Sequence, residues 1–350
     1  MISSLFAPGP ERDAWVSTSV ALGLVVMGVL LGLRARRIPR QRELVHLLFR
    51  RRPLTTLVLG LYVLVGLLDS ISWVGGGAGP ESVDRVRAYE AQSLVDRVVR
   101  KDNEKGYSAP LAKHEFYEHA PLVDSHWLGT NVLGEDVLYL TLKGTRVALL
   151  IGGLTSLITI PLALFFGILA GYFGGRTDDV VFFVMSTLAS MPGILLLVAL
   201  VMVLGQGTLS VCIALGVTSW VGFARLARGE ALKLRKLDYV LAARSLGVSS
   251  SRIVLRHILP NLMHLVIVTF VLLFSGLVLS EATLSWLGIG VSGSWGQMIA
   301  QAKDELSRDP IIWWNVVPAG VALFVLLLCV NLLGDALRDI LDPRTRRERV

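Results

Sequence analysis

Little in this chain carries charge. Of its 350 residues only 17% are Asp, Glu, Lys or Arg, against about 25% in a typical soluble domain. Hydrophobic residues make up 53%, and mean hydropathy is +0.62. That composition excludes an ordinary soluble domain and defines an all-α polytopic membrane protein. Cysteine is scarce too. Cys212 and Cys329 lie in apolar runs far apart in sequence, so no disulfide framework is expected. No His, Cys, Asp and Glu cluster has metal-ligand spacing, and no G-x-x-x-x-G-K-[ST] loop is present to cradle a phosphate. No catalytic residue, metal or cofactor is therefore assigned to this chain. If ATP drives it, another chain binds the ATP.

Seven apolar runs stand out: Val16–Leu33, Leu54–Leu68, Val147–Phe173, Val180–Leu204, Thr208–Phe223, Leu262–Ser280 and Ile311–Leu333. About 20 residues cross the hydrocarbon core, so the short second run needs its flanks. The first run resembles a signal peptide in position. Its start is nearly neutral (Glu11, Arg12, Asp13), its end is strongly basic and no small-residue cleavage site follows, so it is read as a membrane helix.

Charge between the runs sets their orientation. Arg34–Pro53 holds eight arginines and one glutamate, and Arg225–Arg256 holds eight Lys/Arg and two acids. Nucleic-acid patches have this composition, but so do positive-inside loops, and the membrane context favours the second. Ile71–Thr145 reverses the bias, with eight Lys/Arg and eleven acids, and is placed outside with Ser108 in it. Within it, Val83–Val99 has helical spacing, and Gly75–Gly77 and Asp102–Lys105 read as turns. The tail carries Arg344, Arg346, Arg347 and Arg349. The N-terminus is then outside and the C-terminus cytoplasmic.

Two polar interruptions look functional. Met191, Pro192 and Gly193 fall in the middle of an apolar run, where they either kink a helix and open a path or simply serve helix packing. Asp238–Asn261 is short, basic and bounded by apolar runs. Tyr239, Ala242, Ala243 and Leu246 share one helical face, thinned by the alanines. Gly247 suits a helix C-terminus that needs positive φ, Ser249 to Ser251 offer N-cap oxygens, and Pro260 is expected to stop or kink the second helix. That second helix carries Arg252 and Arg256 on one side, and Ile253 and His257 on another. The expectation is helix, tight turn, helix. A DNA-binding helix-turn-helix has similar spacing. The apolar run from Leu262 leaves it no room to reach a groove.

Two further stretches complete the pattern. His126–Arg146, on residues alone, reads as a capped amphipathic helix lying on the membrane. Glu281–Pro310 is an outer loop whose SWLGIGVSGSWGQM segment suggests interfacial tryptophans and a glycine-rich re-entrant turn.

These stretches resemble the permeases of ABC importers of the dipeptide, oligopeptide and nickel (Opp/Dpp) type, C-type subunit. Ala242-Ala243, Gly247 and Ile258-Leu259-Pro260 are similar to the family's EAA loop, with Leu241 where Glu is usual. Leu128-Gly129-Thr130, Gly134, Asp136-Val137, Gly144 and Arg146 resemble LGTD-x-x-GRDV-x-x-R, with Asn131 and Glu135 departing from Asp and Arg. Trp286, Gly288, Gly290, Trp295 and Gly296 resemble SFLGLGV…PSWG-x-M, and Leu332–Pro343 resembles NLLGDxLRDxLDP. The likeness covers roughly residues 126–343.

The resemblance implies a type I importer permease core in a bacterial inner membrane. The 238–261 loop would dock on an ATPase through Asp238, Tyr239, Leu241, Ala242, Ala243, Gly247, Arg252, Ile258, Leu259 and Pro260. Met191, Pro192 and Gly193 are candidate pore or gate residues, and Gly129, Thr130, Gly134 and Asp136 form an extracytoplasmic motif. Implied partners are a second homologous permease subunit, two ABC ATPase subunits that carry ATP and magnesium, an extracytoplasmic substrate-binding protein and the lipid bilayer, with no nucleic acid. The chain divides at the sequence level into an extra helix with a basic loop (1–53), a helix with a long outer loop (54–145), a permease core (146–343, coupling loop 225–260) and a basic tail (344–350).

Charge also bears on mechanism. The runs from Val147, Val180, Thr208 and Ile311 contain no Asp, Glu, Lys or Arg, and the run from Leu262 adds only His264, read as structural. Ion-coupled carriers place ionisable groups inside the bilayer, so a passive gate moved from outside fits better. Two alternatives make distinct predictions. A stand-alone channel or secondary carrier would transport without ATPases. A membrane-anchored helix-turn-helix regulator would bind DNA with steep salt dependence. Peptide as the cargo rests on the family likeness alone.

Overall fold

The computed structural model describes residues 18–19, 52–74, 91–101, 103–104, 106–116, 121–205 and 207–341. Most of the first apolar run and the arginine-rich loop after it, the turn expected at 75–77, the first half of the stretch 83–99 with helical spacing, part of the turn expected at 102–105 and the basic tail lie outside the described residues.

Lipid offers no hydrogen bonds, so long apolar runs must satisfy their own backbone and become helices. In chain order these are α1 (Pro53–Ser70), a two-stranded ribbon of β1 (Ser72–Val74) and β2 (Ala91–Ser93), α2 (Leu94–Val99) and α3 (Val137–Ile168). Next come α4 (Gly175–Ser190), α5 (Gly193–Leu204), α6 (Thr208–Leu234), α7 (Asp238–Ser245) and α8 (Ser250–Ile253). The last are α9 (Leu259–Trp286), α10 (Trp295–Glu305) and α11 (Val316–Leu341). Two π turns, Leu169–Phe173 and Val254–Ile258, extend α3 and join α8 to α9. Among the described residues five helical stretches are long and apolar enough to span, and the bent pair α4–α5 makes up to six. The ribbon is antiparallel, pairing Trp73 with Gln92.

Helix ends differ from the apolar runs where polar side chains take over. The helix expected from Val147 begins ten residues earlier, because Asp136 Oδ1 accepts from the N–H groups of Leu138 (2.8 Å) and Tyr139 (3.2 Å). The surface helix expected over His126–Arg146 is therefore a loop to Asp136, followed by the first turns of α3. Likewise Glu281, expected in an outer loop, lies inside α9 and is 4% exposed.

The described residues form two compact units. The first holds the chain up to Leu149 with Ser285–Gly288 and Ser292–Leu333. Here α10 docks on α3: the Trp295 indole N–H donates to the Thr141 carbonyl at 2.8 Å. Its ring covers Gly144, where a Cβ would lie 2.3 Å from it. A buried ionic network ties three segments together. Lys143 Nζ pairs with Asp96 at 2.7 Å, the Ser93 hydroxyl donates to Asp69 at 2.7 Å, the Tyr139 hydroxyl donates to Asp96 at 2.6 Å, and Arg146 lies 3.7 Å from Asp69. Burial alone would raise the Asp96 pKa, but hydrogen bonds from Lys143, the Ser93 backbone and Tyr139 hold it below the usual range. The carboxylates are buried and the cations about a quarter exposed, so removing Lys143 would leave the buried Asp96 charge without its cation.

The second unit holds Leu150–Leu284, Ile289–Val291 and the chain from Gly334. Its core packs Ile160 and Ala163 of α3, Val181 and Met185 of α4, and Trp220, Phe223 and Ala224 of α6. Gly167 and the π-turn Gly171 let α6 approach closely: a Cβ at either would sit 2.7 Å or 2.6 Å from the carbonyl of Ala224 or Arg228.

Candidate functional site

The basic loop folds as the helix–turn–helix expected from its sequence. Helix α7 ends in a Schellman cap. The Gly247 N–H donates to Arg244 O (3.0 Å), the Val248 N–H donates to Ala243 O (3.1 Å), and Gly247 has φ +80°. Ala243 and Val248, the pair that closes such a cap, pack in one cluster with Ile168, Ala231, Leu234, Val240, Ile253, Ile258 and Leu262. The loop is thus welded to the ends of α3, α6 and α9 through its inner residues.

Its outer face differs in part from the expected one. Val240 and Ala243, one helical turn apart, point inward. Tyr239 (44% exposed), Leu241 (47%), Ala242 and Leu246 (84%) face outward, together with Asp238. The contact face is consequently broader and more apolar than an alanine stripe. Tyr239 accepts a hydrogen bond from Asn261 Nδ2 at 3.2 Å, fixing it against the start of α9. Arg252 is exposed, Ile258 is buried, Leu259 half-buried and Pro260 exposed. Ser249, Ser251, Arg252, Leu255, Arg256 and Pro260 line an open cleft of about 520 Å³.

Two local expectations are corrected. Ser249 occupies the N-cap position of α8, but its side chain makes no capping hydrogen bond. Pro260 neither stops nor breaks the helix, which runs from Ser250 to Trp286. The π turn before it shifts the pattern, with the Leu259 N–H reaching Val254 O, and the proline is accommodated within that looser turn. Because α8 continues into a membrane-spanning helix, it cannot lie in a DNA groove. His264 caps locally, its Nδ1 donating to Asn261 O at 2.7 Å.

Met191, Pro192 and Gly193 form a break. Helices α4 and α5 meet at 92°. Pro192 (φ −60°, ψ 115°) has no N–H to continue α4, and its carbonyl accepts from Leu196 N–H to begin α5. All three residues are exposed, Met191 at 46%. Of the two sequence readings, a kink that opens a path and ordinary helix packing, the kink is observed. A Cβ at Gly193 would meet nothing, so glycine is not sterically required there.

The motif read as extracytoplasmic is a tight loop. Gly129 (φ +79°) and Gly134 (φ +76°) turn it, and a Cβ at Gly134 would lie 1.7 Å from Glu104 O. Thr130 N–H donates to Ser108 O (2.9 Å), while Thr130 Oγ1 accepts from Ser108 N–H (2.8 Å). Asp136 accepts from His126 Nδ1 at 2.9 Å besides capping α3. Burial pushes its pKa up, and the bonds from His126 and Tyr139 bring it below the usual range. The two departures from the family pattern face each other, Asn131 Nδ2 donating to Glu135 at 2.8 Å.

Sequence reasoning missed two polar features. The Asp69–Asp96–Lys143–Arg146 network draws on three distant segments and left no local signal. Glu281 was assigned outside the bilayer run. Its place on the Leu277–Leu284 helical face was the available sign, and in the structure it accepts from Val291 N–H at 3.4 Å.

Long, mostly apolar membrane helices, with one pair broken at a proline and a capped helix–turn on the basic side, define a membrane transport permease; the charges inside these helices, Glu281 among them, were missed when the core runs were read as uncharged. The chain belongs to the family described as binding-protein-dependent transport system inner membrane component, which matches residues 163–347. It is similar to the oligopeptide transport system permease protein OppC of Bacillus subtilis, 35% identical over 230 residues covering 65% of this chain and 74% of that protein. It is 35% identical to the dipeptide permease DppC of the same organism over 66% of this chain and 72% of that one. A putative peptide permease of Brucella abortus is 41% identical over 64% and 75%. Among solved structures, the inward-facing MetNI methionine ABC transporter matches 59% of this chain and 98% of its own, with a TM-score of 0.50 and 18% identity. The fold is thus that of an ABC importer permease, and the chain is a multi-pass inner-membrane permease subunit of such an importer, not a stand-alone carrier or a DNA-binding regulator.

Proposed function

We propose that this chain imports peptides as one of two related permease subunits, driven by two ATPase subunits that carry ATP and magnesium, and supplied by an extracytoplasmic binding protein. The N-terminus lies outside and the C-terminus in the cytoplasm. Peptide cargo is supported by the relatives' names, oligopeptide and dipeptide permeases among them. The loop at 238–261 is the docking element for the ATPase, through Asp238, Tyr239, Leu241, Ala242 and Leu246 on its outer face. Ala243, Gly247, Ile258, Leu259 and Pro260 shape it, and Arg252 borders the cleft beside it. Met191, Pro192 and Gly193 mark the gate. Gly129, Thr130, Gly134 and Asp136 support the outer surface that the binding protein approaches.

One observation carries the reading. Helix α7 is anchored by Val240 and a Schellman cap, yet it and its cap residue offer three large apolar side chains to a partner, Tyr239, Leu241 and Leu246, the last 84% exposed. A folded loop with an uncovered apolar face at the basic end of the spans is what a docking helix requires. Purifying the tagged chain in mild detergent and identifying co-purifying proteins by mass tests this. A second permease and ATPase subunits are expected. Recovery of the chain alone, under conditions that keep other transporters intact, overturns the assembly.

A further inference from the structure

From the geometry we infer that the Asp178–Arg228 pair is the link that carries movement of the cytoplasmic loop into the broken helix α4–α5. The inference rests on the docking role of that loop.

The pair is bidentate. Arg228 Nε donates to Asp178 Oδ1 at 2.5 Å and Nη2 donates to Oδ2 at 2.8 Å. The guanidinium also lies 5.4 Å from the Phe182 ring centroid, so both the first turn of α4 and the turn after it are gripped from α6. Arg228 stands near the end of α6, which leads through a short turn into α7. Below it, Arg235 Nη1 donates to Gly171 O (3.1 Å) and Tyr172 O (3.4 Å), closing the π turn at the end of α3. Gly167 and Gly171 lock α3 against α6, and the cluster around Val240 joins α7, α3, α6 and α9. These ends therefore move as one body when α7 is pushed.

Only Gly174 separates helix α4 from the π turn, so the chain joins its first turn to that body, and what remains to be set is its angle and register along α6. Val181 and Met185 bury against α6, but apolar contacts are non-directional and allow sliding. The fork of Arg228 on Asp178 fixes both register and angle. From there α4 is unbroken to Ser190, where the chain turns by 92°. A push on the loop thus reaches Pro192 as a displacement of a stiff rod, and the break lets α4 change its angle to α5, which itself packs along α6. The two side chains are 28% and 18% exposed, so losing one partner leaves no fully buried charge behind. Losing the pair therefore spares the fold while releasing the rod. Asp178 and Arg228 are positioning residues in this scheme.

The test uses the whole transporter in membrane vesicles, with Asp178→Asn, Arg228→Gln, the charge-exchanged pair Asp178→Arg with Arg228→Asp, and Gly247→Val as the loop control. Peptide translocated per ATP hydrolysed is measured with a labelled tripeptide mixture, and assembly by co-purification. Each single variant is expected to assemble and hydrolyse ATP, with the ratio reduced about tenfold, within the range of coupling energies between sites. The exchanged pair is expected to recover most of the ratio, which a general folding role would not produce. If the single variants keep the wild-type ratio while Gly247→Val loses it, the link is wrong and the docking loop stands. If Gly247→Val keeps it as well, the loop reading falls and takes the link with it. An exchanged pair no better than the single variants also overturns the link.

Discussion

Gly247 offers a clean perturbation because only its backbone is constrained. Its φ is +80°, and a Cβ there would meet nothing within 4 Å, so a substitution adds strain without a clash. An L-residue in the left-handed region costs about 1–2 kcal/mol. Loss of unfolded-state freedom offsets about 0.4–1 kcal/mol of this for Ala. Gly247→Ala should then weaken the capped turn by about 1 kcal/mol and Gly247→Val, being β-branched, by about 2 kcal/mol. These correspond to factors of roughly 5 and 30 in the population of the intact turn. Gly247→Asn, which tolerates that region, should stay near wild type. The cap is local, so membrane insertion and assembly should be unchanged. Reconstituted transporter, assayed for peptide uptake per ATP hydrolysed, should fall in the order Gly, Asn, Ala, Val. A valine variant with the wild-type ratio, or an asparagine variant as impaired as valine, refutes the reasoning.

Leu241→Glu should be tolerated, since Leu241 is 47% exposed and the resembled family has Glu there; loss of ATPase co-purification would show that this chain's partner has a changed groove. Val123→Cys, at 94% exposure, should react with an impermeant thiol reagent from outside only, and labelling from the cytoplasm alone would invert the topology. Ser108, in the same polar region between spans, is fully buried and would be a poor probe. Burial raises the Glu305 pKa despite the Asn315 amide at 3.2 Å. The unfolded chain ionises first, near pH 4.3, so stability falls as pH rises from there through the raised folded value. Glu305→Gln should therefore raise the unfolding temperature at neutral pH and not near pH 4, and an equal effect at both would count against it. Asp136 has the opposite sign: its folded pKa is depressed, so its stabilisation is present above about pH 3.9 and is lost as pH falls through the folded value. Asp136→Asn should therefore lower the unfolding temperature at neutral pH, with the difference shrinking on acidification.

What the sequence revealed follows from range. The spans, the turn at Gly247 and the break at Pro192 depend on neighbouring residues, and each was readable from composition or from one special backbone position. The start of α3 was not, because the apolar run begins at Val147 while the cap is Asp136, eleven residues upstream. Pro260 does not stop the helix because a π turn precedes it, with Ile253 and Ile258 buried on either side of that turn. The inward turn of Ala243 depends on the cluster around Val240, which gathers residues from four helices. The ionic network of Asp69, Asp96, Lys143 and Arg146 is wholly tertiary. Asn131 and Glu135 looked like two separate departures, and in the fold they are hydrogen-bonded to each other.

The central claim is that the outer face of α7 docks on an ATPase subunit. A photo-crosslinking residue placed at Leu246, 84% exposed at the tip of the loop, tests it most directly in membranes containing the whole transporter. The account predicts a single adduct, of the mass of this chain plus an ATPase subunit. Irradiation that yields no such adduct, with the complex shown to be intact, would contradict it.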